Sequence, residues 1–138
     1  MSFIEIVNKV TSLADQETIE DENLKSKHGL GLGISRGDPA SEAYLAEVRA
    51  KPSKLKNYLS TLSPEFLAKL ETVMYFGRDP EDVHGNNIGE YHAQLHKGVL
   101  DKDDLIRNLT EKRPALKHYF NEAKRKSEAL SLDLEANP

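Results

Sequence analysis

Cysteine and tryptophan are both absent from this chain, and methionine occurs only twice. Without cysteine there is no disulfide scaffold, no thiol nucleophile and no thiolate metal site. Long apolar runs are missing as well, none approaching the ~18 consecutive residues that a membrane span requires. The first apolar stretch carries Glu5 and Asn8, so it does not read as a secretory signal. These absences predict a cytoplasmic protein with no membrane partner. Phosphate-binding glycine motifs are lacking too. The run Gly29-Leu30-Gly31-Leu32-Gly33 has neither the dinucleotide spacing nor the Gly-Lys-Ser/Thr of a P-loop. No nucleophile elbow or marked carboxylate pair is found, so no catalytic residue and no cofactor is assigned.

What is present is charge. Of 138 residues 30% are charged and 38% hydrophobic, and 19 bases against 23 acids give a net charge of −4. That length suits one domain with a buried core. Apolar residues recur with helical period along the chain, which predicts an all-α, compact single-domain bundle of about five to seven helices with a glycine-rich loop. Residues 1–131 form the expected domain, and 132–138 read as a frayed tail without an anchor.

Several helix starts are written in cap residues. Ser2 with Glu5 is a capping box ahead of Phe3, Ile6, Val7, Val10 and Ala14. The acids that follow (Asp15, Glu17, Glu20, Asp21, Glu22) read as a solvated connection, mobile together with the glycines to about residue 37. Asp38-Pro39, Ser53 and Ser63-Pro64 each open a further helix. The third of these carries Leu67, Leu70, Val73 and Met74, and Gly77 stands where a C-terminal cap is expected. Asn87 with Glu90 and Asp101 with Asp104 mark two more starts, and Pro114 separates the last pair of helices.

In order and spacing the segments Leu67–Asp79 and Pro114–Glu122 resemble the bacterial domain-of-unknown-function family numbered 3775. The similarity spans about Asp38 to Lys124, with a looser echo in the first helix. The chain departs from that pattern at Tyr75-Phe76, where an aromatic-Leu pair is usual, and at Asp79, where a second glycine is usual. The resemblance implies a helical fold and no particular activity.

Three groups of residues could carry chemistry. His92 and His96 stand four apart on one helix, the spacing by which a helix offers paired metal ligands. Measured from Ile88, they fall about 40° and about 80° around the helix, so one flanks the apolar face and the other leaves it. Arg78 and Asp79 follow the core helix, where the arginine could recognise a carboxylate or phosphate, or pair locally with Asp82 and cap helix carbonyls. The segment Lys97–Lys126 holds nine bases and five acids and is +4, leaving −8 on the remainder. Lys117, Lys124 and Arg125 are its candidate contact residues, although the bases spread over a wide arc and the protein is acidic, which disfavours nucleic acid. The preferred expectation is a non-enzymatic regulator or inhibitor that binds another protein or a second copy of itself. The alternatives are a metal-dependent enzyme or sensor using His92 and His96, and nucleic-acid binding through residues 97–126.

Overall fold

The computed structural model describes residues 2–30, 39–79 and 88–135, which contain helices and no strand. The order is α1 (Phe3–Lys27), α2 (Pro39–Ala50), α3 (Lys54–Leu59), α4 (Pro64–Arg78), α5 (Ile88–Leu95), α6 (Lys102–Glu111), a 3-10 turn (Arg113–Ala115) and α7 (Leu116–Ala129). Among the described residues no helix is long and apolar enough to cross a membrane.

Cap chemistry fixes most of the starts. At α1 the Ser2 hydroxyl accepts from the Glu5 amide at 3.2 Å, and the Glu5 carboxylate accepts from the Ser2 amide at 3.4 Å. Ser53 accepts from the Lys56 amide, Ser63 from the Phe66 amide and Asp101 from the Asp104 amide, each at 3.1–3.2 Å. The Asp38 and Asn87 caps and residues 31–37 of the expected connection lie outside the described residues.

The acidic stretch after Ala14 is not a mobile connection. α1 runs on through it for 25 residues and stops at His28. There Gly29 adopts φ +72°, its amide reaches the Ser26 carbonyl, and the Leu30 amide reaches Lys25 at 2.7 Å. This pair of bonds closes the last turn and uses the left-handed conformation that glycine adopts freely. Two of the acids hold structure rather than water. Glu17 accepts from the Ser53 hydroxyl at 3.0 Å and the Leu55 amide at 2.9 Å, and Asp21 accepts from the Tyr44 hydroxyl.

The core is one cluster built around α4. Leu67, Leu70, Val73, Met74 and Phe76 pack there with Phe3, Val7 and Val10 of α1, Leu55 and Leu59 of α3, Leu109 of α6, and Leu116 and Phe120 of α7. Every residue from Leu67 to Met74 is buried, so this helix is enclosed on all sides. Gly77 is not a C-terminal cap. It lies within α4, whose cap is Asp79, and the backbone of α7 crosses directly over it. A Cβ there would sit 1.8 Å from the Tyr119 carbonyl oxygen and 2.9 Å from the Ala123 nitrogen.

The C-terminal segment is anchored through residue 135, contrary to the expectation of a frayed tail. After α7 the Leu132 amide bonds to the Ser127 carbonyl at 2.8 Å, with Ser131 at φ +56°. The turn sends the chain back over the core, where Leu134 is buried and Leu132 packs against the cluster. Glu135 then accepts from the Phe3 amide at 2.7 Å and the Ile4 amide at 3.0 Å. Those two amide bonds hold its carboxyl below the usual range.

α2 packs apart from this core. Its buried side chains are Ser41 and Tyr44, and Tyr44 and Leu30 fall outside the main cluster. Ion pairs tie it to α1: Glu47 with Lys27 at 2.9 Å and with His28 at 3.0 Å, and Lys51 with Glu20 at 2.8 Å. Burial, reinforced by the Asp21 carboxylate, pushes the Tyr44 hydroxyl up to about 12.

Candidate functional site

A recess of about 350 Å³ lies where α1, the end of α2, α3 and the 3-10 turn meet. Its apolar lining is Leu24, Val48 and Pro52. Glu17, Glu20 and Asp21 come from one face of α1, since residues three and four apart share a face. Lys51, Lys54, Lys56 and Arg113 supply opposing charge. Arg113 is drawn in by Glu17 at 3.4 Å and Asp21 at 4.0 Å, and its Nε is buried with no hydrogen-bond partner among the described residues. Val48, 38% exposed, stands at the rim as a large apolar side chain in contact with water. The recess is therefore an amphipathic cleft with both signs of charge at its margin.

A second polar cluster joins α4 to α5. The His92 and His96 rings lie with centroids 5.0 Å apart and planes tilted by 53°, so the two are brought together as their spacing suggests. His92 Nδ1 lies 2.6 Å from the Thr72 hydroxyl, which also donates to the Ala68 carbonyl at 2.9 Å. Burial lowers both imidazole pKa values, with Lys69 adding to the effect at His92 and His92 adding to it at His96. Among the described residues no group of three or more His, Cys, Asp or Glu side chains is placed to hold a metal. His84 and Asp82 lie outside those residues.

Glu71, on the same helix as Thr72, is only 5% exposed, and its Oε2 makes no hydrogen bond among the described residues. Burial raises its carboxyl above the ordinary glutamate value, while a hydrogen bond with Asn108 pulls the other way. A raised acid holds more protons folded than unfolded. Stability therefore falls as pH climbs from the ordinary value through the raised one, and stays lowered above it. Glu71→Gln is expected to raise stability at pH 7 by about 1 kcal/mol and to flatten that decline. Urea unfolding of both proteins across pH 4–8 reads the effect, and parallel curves would contradict it.

The remaining candidate residues are dispersed. Arg78 pairs with Asp79 at 3.0 Å and lies 4.4 Å from the centre of the Tyr75 ring, a local clamp at the end of α4. Lys124 donates to Asn8 at 2.7 Å, Arg125 pairs with Glu122 at 2.8 Å, and Lys117 is exposed. The basic segment does not form one face. Lys102 reaches the Ser60 carbonyl, Arg107 pairs with Asp104, Arg113 turns into the cleft, and Lys126 is buried. No family model matches the chain, and comparison with curated proteins and with solved structures finds no match either.

Two parts of these clusters have no local signal in the sequence. Glu17, Asp21 and Arg113 are 92–96 residues apart in sequence at their extremes, so nothing in the neighbourhood of either acid announces the arginine. Thr72 reads as one more member of the core helix until α5 is laid against it.

Proposed function

We propose that the protein works by binding a second protein at the cleft between α1, α3 and the 3-10 turn, as a regulator or inhibitor rather than a catalyst. The observation that supports this reading is the mixed character of the cleft. It offers Leu24 and Val48 for apolar contact, with carboxylates and ammonium groups on either side to set register. Oppositely charged margins steer encounter and penalise a misaligned partner, while the apolar centre supplies affinity. Such a protein is read as one cytoplasmic helical domain, with kinship to the family numbered 3775 resting on Leu67–Asp79 and Pro114–Glu122.

Capture from native-host extract with the tagged full chain tests the reading. The wild type is expected to retain a specific protein that Val48→Glu and Lys54→Glu lose by at least about tenfold, since the first puts a charge on the apolar contact and the second reverses one of the charges that set register. Both positions border the cleft, and Val48 is already 38% exposed, so neither change disturbs the core. Retention of the same proteins by all three forms, or of none by the wild type, would remove the cleft as the binding surface. Light scattering on the purified chain separates a second copy from a different partner.

A further inference from the structure

The space between α4 and α5 is arranged in a way that protein binding at the cleft does not use. Two helices meet there through half-buried histidines as well as through Ile88, which packs against the core. α5 has no fully buried residue, and the half-buried pair is His92 within it and His96 one position past its end. Opposite them, Ala68 and Thr72 of α4 are spaced by the same four residues, so the two pairs lie in step. Thr72 Oγ1 gives its one proton to the Ala68 carbonyl at 2.9 Å and is then an acceptor toward His92 Nδ1 at 2.6 Å. The Ala68 carbonyl also lies beside the His96 ring.

The His92 ring is thus held at Nδ1. A neutral imidazole with Nδ1 protonated carries its lone pair on Nε2, and a hydrogen bond at one ring nitrogen is how proteins orient the other toward a metal. On His96 the Nε2 atom is buried and has no hydrogen-bond partner among the described residues, an arrangement that costs free energy unless something occupies it. The ring separation fits a shared ion. With metal–nitrogen bonds of about 2.0–2.1 Å and the ring centre about 1.1 Å behind each nitrogen, two imidazoles on a tetrahedral ion have centroids about 5 Å apart. The observed value is 5.0 Å.

We propose that His92 and His96 form a two-imidazole site for a divalent transition ion of the zinc, nickel and copper class, with Thr72 as the outer partner that orients the His92 ring and water completing the coordination. Imidazole nitrogen suits these ions, whereas calcium and magnesium demand oxygen ligands. Lys69, which faces His92 from α4, is the charged group that opposes a cation here. Chelation across one helical turn clamps α5, an eight-residue helix that is too short to persist without support.

The test uses the full chain stripped with chelator and titrated with zinc chloride by calorimetry. One ion per chain is expected. His92→Ala and His96→Ala should each weaken binding at least tenfold, Thr72→Val by about tenfold with both imidazoles retained, and His118→Ala on the exposed face of α7 not at all. Helix content by circular dichroism identifies any variant that fails to fold. A second measurement on the wild type needs no variant: zinc should shift the imidazole nitrogen resonances of His92 and His96. Binding that survives His92→Ala/His96→Ala in one chain, zinc shifts confined to other histidines, or no single-ion binding below about 1 mM would each overturn the site.

Discussion

Gly77→Ala is expected to destabilise the protein by about 3 kcal/mol or more. The added Cβ would lie 1.8 Å from the Tyr119 carbonyl oxygen, 2.8 Å from its carbon and 2.9 Å from the Ala123 nitrogen. All three are backbone atoms of α7, so no side chain can rotate aside and the two helices must separate. Separation would loosen the contact between α4 and α7, and with it the packing around Phe76 and Phe120, both almost fully buried. Helix propensity acts in the opposite direction. Alanine in an unhindered helix interior is favoured over glycine by roughly 0.5–1 kcal/mol, so the sign alone distinguishes a close crossing from an ordinary helical glycine. Gly29→Ala provides the comparison. It has open space around it but φ +72°, and should cost only about 1–2 kcal/mol. Thermal unfolding followed by circular dichroism reads both, and a Gly77→Ala protein as stable as the wild type would show that the helices do not meet there.

The same position illustrates what could be read in the sequence. A glycine near the end of an apolar helical stripe has two physical explanations, a left-handed cap or a close helix crossing. They differ only in what lies opposite, and here that is Tyr119, 42 residues further along the chain. Local signals were legible wherever the chemistry is local. Ser2 with Glu5, Ser53, Ser63-Pro64 and Asp101 open helices through bonds to amides three residues away, and each start is found as the cap residues predict. The acids after Ala14 were misread because their partners are distant. Glu17 is satisfied by Ser53, Leu55 and Arg113, and Asp21 by Tyr44, none of which a composition window contains. An acidic run without nearby bases looks solvated until a second helix start docks on it. The tail was misread for the same reason, since Glu135 finds its amides at Phe3 and Ile4, at the opposite end of the sequence. For the candidate site, the spacing of His92 and His96 is plain, but the hydroxyl that fixes the His92 ring belongs to α4 and carries no mark in the sequence.

Lys126→Met should be the second severe substitution, costing about 3 kcal/mol. In sequence this lysine is one of three consecutive bases and reads as solvated surface, yet only 4% of it is exposed. Its ammonium donates to the Phe76 carbonyl at 2.8 Å and to the Asp79 carbonyl, and lies 5.5 Å from the centre of the Phe76 ring. These carbonyls belong to the last turn of α4, where the helix leaves its acceptors without internal partners. The Asp79 amide closes on Tyr75, so Phe76 is the next acceptor in need of a donor. A positive charge at that end also complements the helix dipole, by about 0.3–1 kcal/mol at exposed sites and up to about 2 kcal/mol when partly buried. Methionine matches the stem in length and fills the same volume, so packing is largely kept and the loss isolates the cap. The buried Phe76 carbonyl and the half-buried Asp79 carbonyl, left without donors, cost up to about 1–3 kcal/mol each, and relief from burying an ammonium returns part of that. The effect should be insensitive to added salt because the contact excludes solvent, unlike the exposed Arg107–Asp104 pair. It should also appear locally as faster hydrogen exchange at the Asp79 amide, whose bond to Tyr75 ends the helix. A loss below about 0.5 kcal/mol, or exchange at Asp79 unchanged, would mean that the turn finds its donors in water and that Lys126 is not the cap of α4.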